Sequence, residues 1–384
     1  MGIEIILQIF SGGFSGDAVP YEEVEKKLLF VLSGLPVSKV IMGWSTDKLL
    51  YEKTADLLAK KNIDFYLWFP VFSETGAIKN QSPLVDFNGQ TLKYSSENPC
   101  EDFSFCCPNN PHNIENILAI FEEHFSSIPF NGVFLDKIRY PSFAQRGVFT
   151  CSCRHCAAEY EKENFNTKQF KDEISSLNSV PLGITNYRAG GKYEFERPGI
   201  SRFFSLKAGF IFHSMQKICL YFREKGLKIG FDVFAPFLSP FVGQDLQKLS
   251  GLCDFIKPMM YRLTNAPAGL PFETEALLQE TGCRNLEEKR HFYNILGLNS
   301  KNTIFDIDFI IKDLNALVSS AACPIYAGVE INRKENVAEV YPPYIEETMT
   351  AYAGTGIRGF ALSWDLLKAP GENIKQATET VKKM

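Results

Sequence analysis

Residues 131–142 read NGVFLDKIRYPS. Val133, Phe134 and Leu135 have the composition of a strand covered on both faces. Asp136, Lys137 and Arg139 follow at once, and Tyr140-Pro141 ends the run. Charges at the end of a buried strand are costly unless they have partners or a task. One architecture supplies the task. In a (β/α)8 barrel every strand delivers its carboxyl end to a single mouth, and the reactive side chains stand there. The reading of 131–142 therefore depends on finding seven more such strands.

They are present. Apolar runs occur at 4–10 (EIILQIF), 39–45 (KVIMGWS), 64–72 (DFYLWFPVF), 228–237 (KIGFDVFAPF), 254–261 (DFIKPMMY), 324–331 (PIYAGVEI) and 357–364 (IRGFALSW), with 132–138 as the fourth in chain order. They are near-continuous rather than alternating, the pattern of parallel strands buried on both sides. Amphipathic stretches separate them, such as 21–34, 47–62, 113–127 and 205–226. The expectation is an α/β chain folded as one (β/α)8 TIM barrel domain spanning 1–384. Two connections are long, 73–112 after strand three and 139–204 after strand four; both leave carboxyl ends, where long loops are commonly functional. Within the second, TNYRAGGKYEFERPG (185–199) reads equally as a lid or a surface loop.

The chain has 384 residues, 45% of them hydrophobic, and a formal charge of −5. Scattered Lys and Arg with net acidity argue against a nucleic-acid surface. No run approaches the roughly 18 apolar residues of a membrane helix. MGIEIILQIFSGG lacks a basic n-region and a small-residue cleavage site, so it reads as a first strand and the cytoplasm is the expected compartment. A homo-oligomer is compatible with these numbers.

On a barrel, the polar and aromatic strand-end residues share one mouth. They are Gln8, Trp44, Trp68, Asp136, Arg139, Tyr140, Asp232, Lys257, Tyr261, Glu330, Trp364 and Asp365, and they include all three tryptophans of the chain. Aromatic faces stack on pyranose rings, and paired carboxyl groups protonate the leaving oxygen and attack the anomeric carbon or activate water. Asp136 and Glu330 are the first pair, on strands expected at opposite sides of the mouth; Asp232 and Asp365 stand in reserve. Arg139 is expected to keep Asp136 ionised or to hold a substrate hydroxyl. Lys257 fits a Schiff-base amine, but a charge partner for a carboxylate fits better, because acidic neighbours raise a lysine pKa.

Ten cysteines need an account. Cys219, Cys253, Cys283 and Cys323 lie singly in apolar settings; Cys100, Cys106, Cys107, Cys151, Cys153 and Cys156 cluster. TCSCRHC (150–156) brings three thiols into a C-x-C-x2-C run, which with a fourth donor suits a tetrahedral structural Zn2+. The fourth ligand is Cys107, or else Cys106 or His155. Four sulfurs would leave no open position, so the metal would pin the two long loops rather than take part in chemistry. No organic cofactor is implied.

The order Cys107, then Cys151-x-Cys153-x2-Cys156 after strand four, resembles the zinc site of family 42 β-galactosidases, which are (β/α)8 enzymes. That resemblance implies a nucleophile at Glu330, within YAGVEINR. It does not carry over an acid/base, because those enzymes have an Asn-Glu pair where this chain reads LDKIRYP. FLDKIRYPS itself, with Pro258-Met259-Met260-Tyr261, resembles bacterial glycoside-hydrolase-like barrel proteins, whose strand-four Asp acts as nucleophile or general acid in related clans. The expected function is hydrolysis of a small glycoside or oligosaccharide. A sugar or sugar-acid lyase, epimerase or aldolase, and a non-catalytic carbohydrate-binding barrel, are the alternatives.

Overall fold

The computed structural model describes residues 2–13, 18–73, 81–92, 104–176, 181–280, 283, 285–298 and 305–384. Cys100, one member of the cysteine-rich group, lies outside them. Eight parallel strands make one sheet: β1 (Glu4–Phe10), β2 (Val37–Gly43), β3 (Asp64–Pro70), β4 (Gly132–Asp136), β5 (Lys228–Phe234), β6 (Phe255–Met259), β7 (Tyr326–Glu330) and β8 (Gly359–Ser363). Their hydrogen-bonded order is β6-β5-β4-β3-β2-β1-β8-β7. A parallel bridge between Ile256 and Ile325 brings the two end strands together and rounds the sheet into a barrel. Helices join successive strands, so the expected (β/α)8 architecture is the observed one.

The continuous apolar character of the strands has a simple origin. Side chains alternate between two faces, and both faces are dry. In β3, Phe65, Leu67 and Phe69 pack outward with the helices, while Tyr66 and Trp68 point into the barrel with Ile6, Ile41, Phe134, Phe255, Tyr326 and Ala361. The same parity sorts the other strands. Val133 and Leu135 face out, so Asp136 faces in; Phe231 and Val233 face out, so Asp232 faces in; Ile256 faces out, so Lys257 faces in. Ala327 and Val329 set Glu330 inward, and Leu362 sets Ser363 inward. Two glycines make room in this interior. A Cβ on Gly230 would lie 2.2 Å from the Phe255 ring, and one on Gly328 would lie 3.0 Å from Lys257 Cε and 3.2 Å from Tyr261.

The connections after β3 and β4 meet each other. Pro83 bridges Cys106, and Asp86 bridges Thr150. The second connection carries helices Arg154–Lys162 and Thr167–Ser175, then a hairpin (Ile184–Arg188 and Lys192–Phe195), before the helix Pro198–Glu224. That hairpin is clamped. Asp313, fully buried on helix Ile307–Ser320, accepts from Tyr187 Oη at 2.5 Å, Gly190 N at 2.7 Å and Phe237 N at 2.9 Å. Residues 184–195 are thus tied to the loop after β5.

Candidate active site and metal centre

Asp136 ends β4 and is 7% exposed. Its Oδ2 accepts from Trp68 Nε1 at 3.0 Å, and its Oδ1 from the backbone N–H of Lys137 at 2.5 Å. Trp68 in turn meets Trp44 edge-on, with centroids 5.4 Å apart, and Trp44 meets Phe10 at 5.7 Å. The Lys137 ammonium stands over the Trp44 ring, 4.8 Å from its centroid. Carboxylate, aromatic wall and cation are therefore contiguous on the β1–β4 side.

Asp232, Lys257 and Tyr261 form the next group. Lys257 Nζ lies 3.0 Å from both Asp232 oxygens and donates to Tyr261 Oη at 2.6 Å. Gln8 Nε2 reaches Asp232 Oδ2 at 3.5 Å, and Ser363 Oγ donates to Gln8 Oε1 at 3.2 Å. One polar chain thus crosses the barrel from β8 through β1 and β5 to the end of β6. Burial pushes the Asp232 carboxyl up to about 7; Lys257 opposes that shift and Asp136 adds to it. Burial also works to lower the Lys257 ammonium, but Asp232 and then Tyr261 overcome it and hold the group above the ordinary lysine value. Burial takes the Tyr261 phenol up to about 12. Lys257 is a charge partner for a carboxylate here, and its protonated state does not suit a Schiff-base nucleophile.

Glu330 is differently employed. Its Oε1 accepts from Leu263 N at 3.0 Å, Thr264 N at 2.7 Å and Thr264 Oγ1 at 2.7 Å. Its Oε2 accepts from Arg262 N at 2.9 Å and from the Tyr344 hydroxyl. Five donors occupy the lone pairs of a carboxylate. Burial raises the pKa of Glu330, and these hydrogen bonds work against the rise. The side chain anchors the loop after β6.

Other expected mouth residues are also engaged by the protein. Asp365 Oδ1 accepts from Leu367 N at 3.1 Å and Phe10 N at 3.2 Å, capping a short 3-10 turn. Arg139 does not hydrogen-bond Asp136. Its guanidinium lies between the rings of Phe105 and Phe234, at 4.8 and 4.4 Å, and donates to Tyr140 O and Gln145 Oε1. Tyr140 is buried with its ring under Lys207 Nζ. Trp364 is partly exposed at the mouth, and its Nε1 has no hydrogen-bond partner among the described residues. Ser363, Lys137, Thr264 and Tyr344 were absent from the expected set. Strand parity after Phe360 and Leu362 could have found Ser363; nothing local marks Tyr344, which arrives on the helix Pro342–Ala353.

The structure brings Cys107, Cys151, Cys153 and Cys156 together, with sulfur atoms all within 4.8 Å of one another. Cys107 Sγ is 3.4 Å from Cys156 Sγ and 3.5 Å from Cys153 Sγ. Tetrahedral zinc–thiolate bonds of about 2.3 Å would place sulfurs roughly 3.8 Å apart, so the set fits one ion. Val85 N donates to Cys151 Sγ at 3.3 Å and Asn109 Nδ2 to Cys156 Sγ at 3.4 Å, the outer-shell hydrogen bonds that stabilise bound thiolates. Neither Cys106 nor His155 belongs to the group.

No family model matches the sequence, and no curated protein matches it. Solved structures match in fold, glycoside hydrolases among them. The glycoside hydrolase domain of PgaB (BpsB) from Bordetella bronchiseptica aligns with a TM-score of 0.61 at 11% identity over 99% of both chains. The α-L-fucosidase isoenzyme 2 of Paenibacillus thiaminolyticus aligns with a TM-score of 0.56 at 11% identity, over 100% of this chain and 49% of that one. The spore cortex-lytic enzyme SleL of Bacillus megaterium QM B1551 gives 0.50 at 10% identity, over 99% of this chain and 73% of that one. At such identities the likeness is one of fold.

Proposed function

We propose that this chain is a glycoside hydrolase whose working carboxyl pair is Asp136 and Asp232. The observation that carries the reading is that these two acids stand on neighbouring strands in unlike surroundings. Asp136 accepts two N–H donors beside an aromatic wall, an arrangement suited to a charged carboxylate. Asp232 is pushed up to about 7 by burial and can hold a proton at neutral pH. Two carboxyls in unlike surroundings can divide the roles of glycoside cleavage. Asp232 supplies the proton to the leaving oxygen, and Asp136 meets the developing positive charge at the anomeric carbon. Glu330, the sequence's first partner for Asp136, is set aside because five protein donors use its oxygens.

Trp44 and Trp68 would stack on the sugar. Gln8, Lys257 and Tyr261 position Asp232 rather than touch the glycan. Cys107, Cys151, Cys153 and Cys156 would hold one structural Zn2+ that ties the loops after β3 and β4 into the wall of the mouth; a four-sulfur set supplies no catalytic position. Reduced thiols suit a cytoplasmic setting, and among the described residues no helix is long and apolar enough to cross a membrane. A chromogenic glycoside panel tests the reading with wild type, Asp136→Asn and Asp232→Asn. Hydrolysis by wild type, lost by about 10³-fold in each variant, is expected. Glycan binding without turnover by wild type would instead support a non-catalytic carbohydrate-binding barrel.

A further inference from the structure

The junction between β6 and β7 differs from the other seven in the barrel. Each of the seven is a ladder of four or more paired residues. The eighth rests on the single Ile256–Ile325 bridge, with Ile256 N donating to Pro324 O at 3.0 Å. Cys253 and Cys323 flank this junction at the amino ends of the strands, on the face away from the mouth. Their sulfurs are 3.7 Å apart. Ala322 N donates to Ser250 Oγ at 2.9 Å, so the segments carrying them are already held together. A cavity of about 370 Å³ lies beside Cys323 and is also lined by Pro324, Ile325, Ile357 and Arg358.

We propose that Cys253 and Cys323 are a dithiol site that reacts with small disulfides and closes into a disulfide stapling this junction. A disulfide needs sulfurs about 2.05 Å apart, which rotation of two side chains already facing each other can supply. Cys323 is the more exposed of the two, and the hydrogen bond from Cys253 lowers its thiol pKa, so it attacks first. The Cys323 thiolate displaces one thiolate from the small disulfide and forms a mixed disulfide. Cys253 then loses its proton, attacks Cys323 Sγ and expels the second thiolate. The small disulfide is reduced to two thiols and the protein pair is oxidised. The bond would close a loop of 70 residues across the junction that has the fewest backbone bonds. Cys219 acts on Cys253 electrostatically but makes no hydrogen bond to it, which makes it a built-in control.

The test treats the folded protein with oxidised glutathione, blocks free thiols and maps peptides by mass spectrometry. A Cys253–Cys323 crosslink is expected in wild type and in Cys219→Ser. Cys253→Ser should accumulate a glutathione adduct on Cys323 instead. The oxidised wild type should unfold at a urea midpoint at least about 0.5 M higher than the reduced protein, with no such shift in Cys253→Ser. Absence of the crosslink from folded protein, or a Cys219–Cys253 bond in its place, overturns the site; a crosslink with an unmoved midpoint overturns the staple.

Discussion

Lys257→Met is the sharpest perturbation of the barrel interior. Lys257 is fully buried and Asp232 is 2% exposed, and the ammonium lies 3.0 Å from both carboxylate oxygens. Removing one member of such a pair leaves a buried carboxylate without its counter-charge, at a cost of about 3–5 kcal/mol. The carboxylate can escape part of that cost by taking a proton, so the loss must depend on pH. Asp232 sits at about 7 in the native protein, already above its unfolded value. A raised carboxyl is most favourable to folding when protonated, and its contribution falls as pH climbs from the unfolded pKa to the folded one. In wild type that fall ends near pH 7. Without Lys257 the folded pKa goes higher still, so the variant goes on losing about 1.4 kcal/mol per pH unit above 7 until the new pKa is reached. Urea unfolding of both proteins at pH 5.5, 7 and 8.5 should show a small gap at the lowest pH that widens steadily. Asp232→Asn combined with Lys257→Met should recover most of the loss. A gap under 1 kcal/mol at pH 8.5, or a double variant no more stable than the single one, would refute the reasoning.

Three further outcomes are expected. Glu330→Gln should lose about 2–4 kcal/mol of stability, because an amide N–H₂ then faces backbone donors, yet keep near-wild-type turnover per folded molecule; lost turnover with unchanged stability would return Glu330 to catalysis. Elemental analysis should find one zinc per chain, and Cys153→Ser should release it and open the loops at 83–92 and 143–150 to protease; a metal-free protein with unchanged protease resistance would remove the structural ion. At the opposite end of the barrel, Tyr326, Arg358 and Lys39 outweigh burial and hold the Glu4 carboxyl down at about 2. Glu4→Gln should therefore cost about 1–2 kcal/mol at neutral pH, after allowance for partial exposure. A lowered carboxyl contributes above its unfolded pKa and loses that contribution as pH falls, so the two proteins should converge near pH 2; a gap constant with pH would exclude the ion-pair account.

The eight apolar runs, with their spacing and the amphipathic stretches between them, were sufficient to read the barrel, because a strand dry on both faces has few other homes. Their position at the ends of those runs also placed Asp136, Asp232, Lys257 and Glu330 at one mouth. The cysteine spacing marked three thiols at once, since C-x-C-x2-C keeps them on one short turn. What each inward group does was a different matter. Glu330 and Asp136 look alike as strand-end carboxylates, but the first is claimed by Arg262, Leu263, Thr264 and Tyr344, which come from elsewhere in the chain. Arg139, three residues from Asp136, turns instead into a slot between Phe105 and Phe234. The choice of Cys107 over Cys106 or His155 rests on which sulfur the loop after β3 delivers beside the β4 loop. Parity and hydrophobic period are local properties that any window of sequence carries. The partner that neutralises a charge is chosen by three-dimensional proximity, and hydrogen bonds between residues tens to hundreds of positions apart leave no trace in either window.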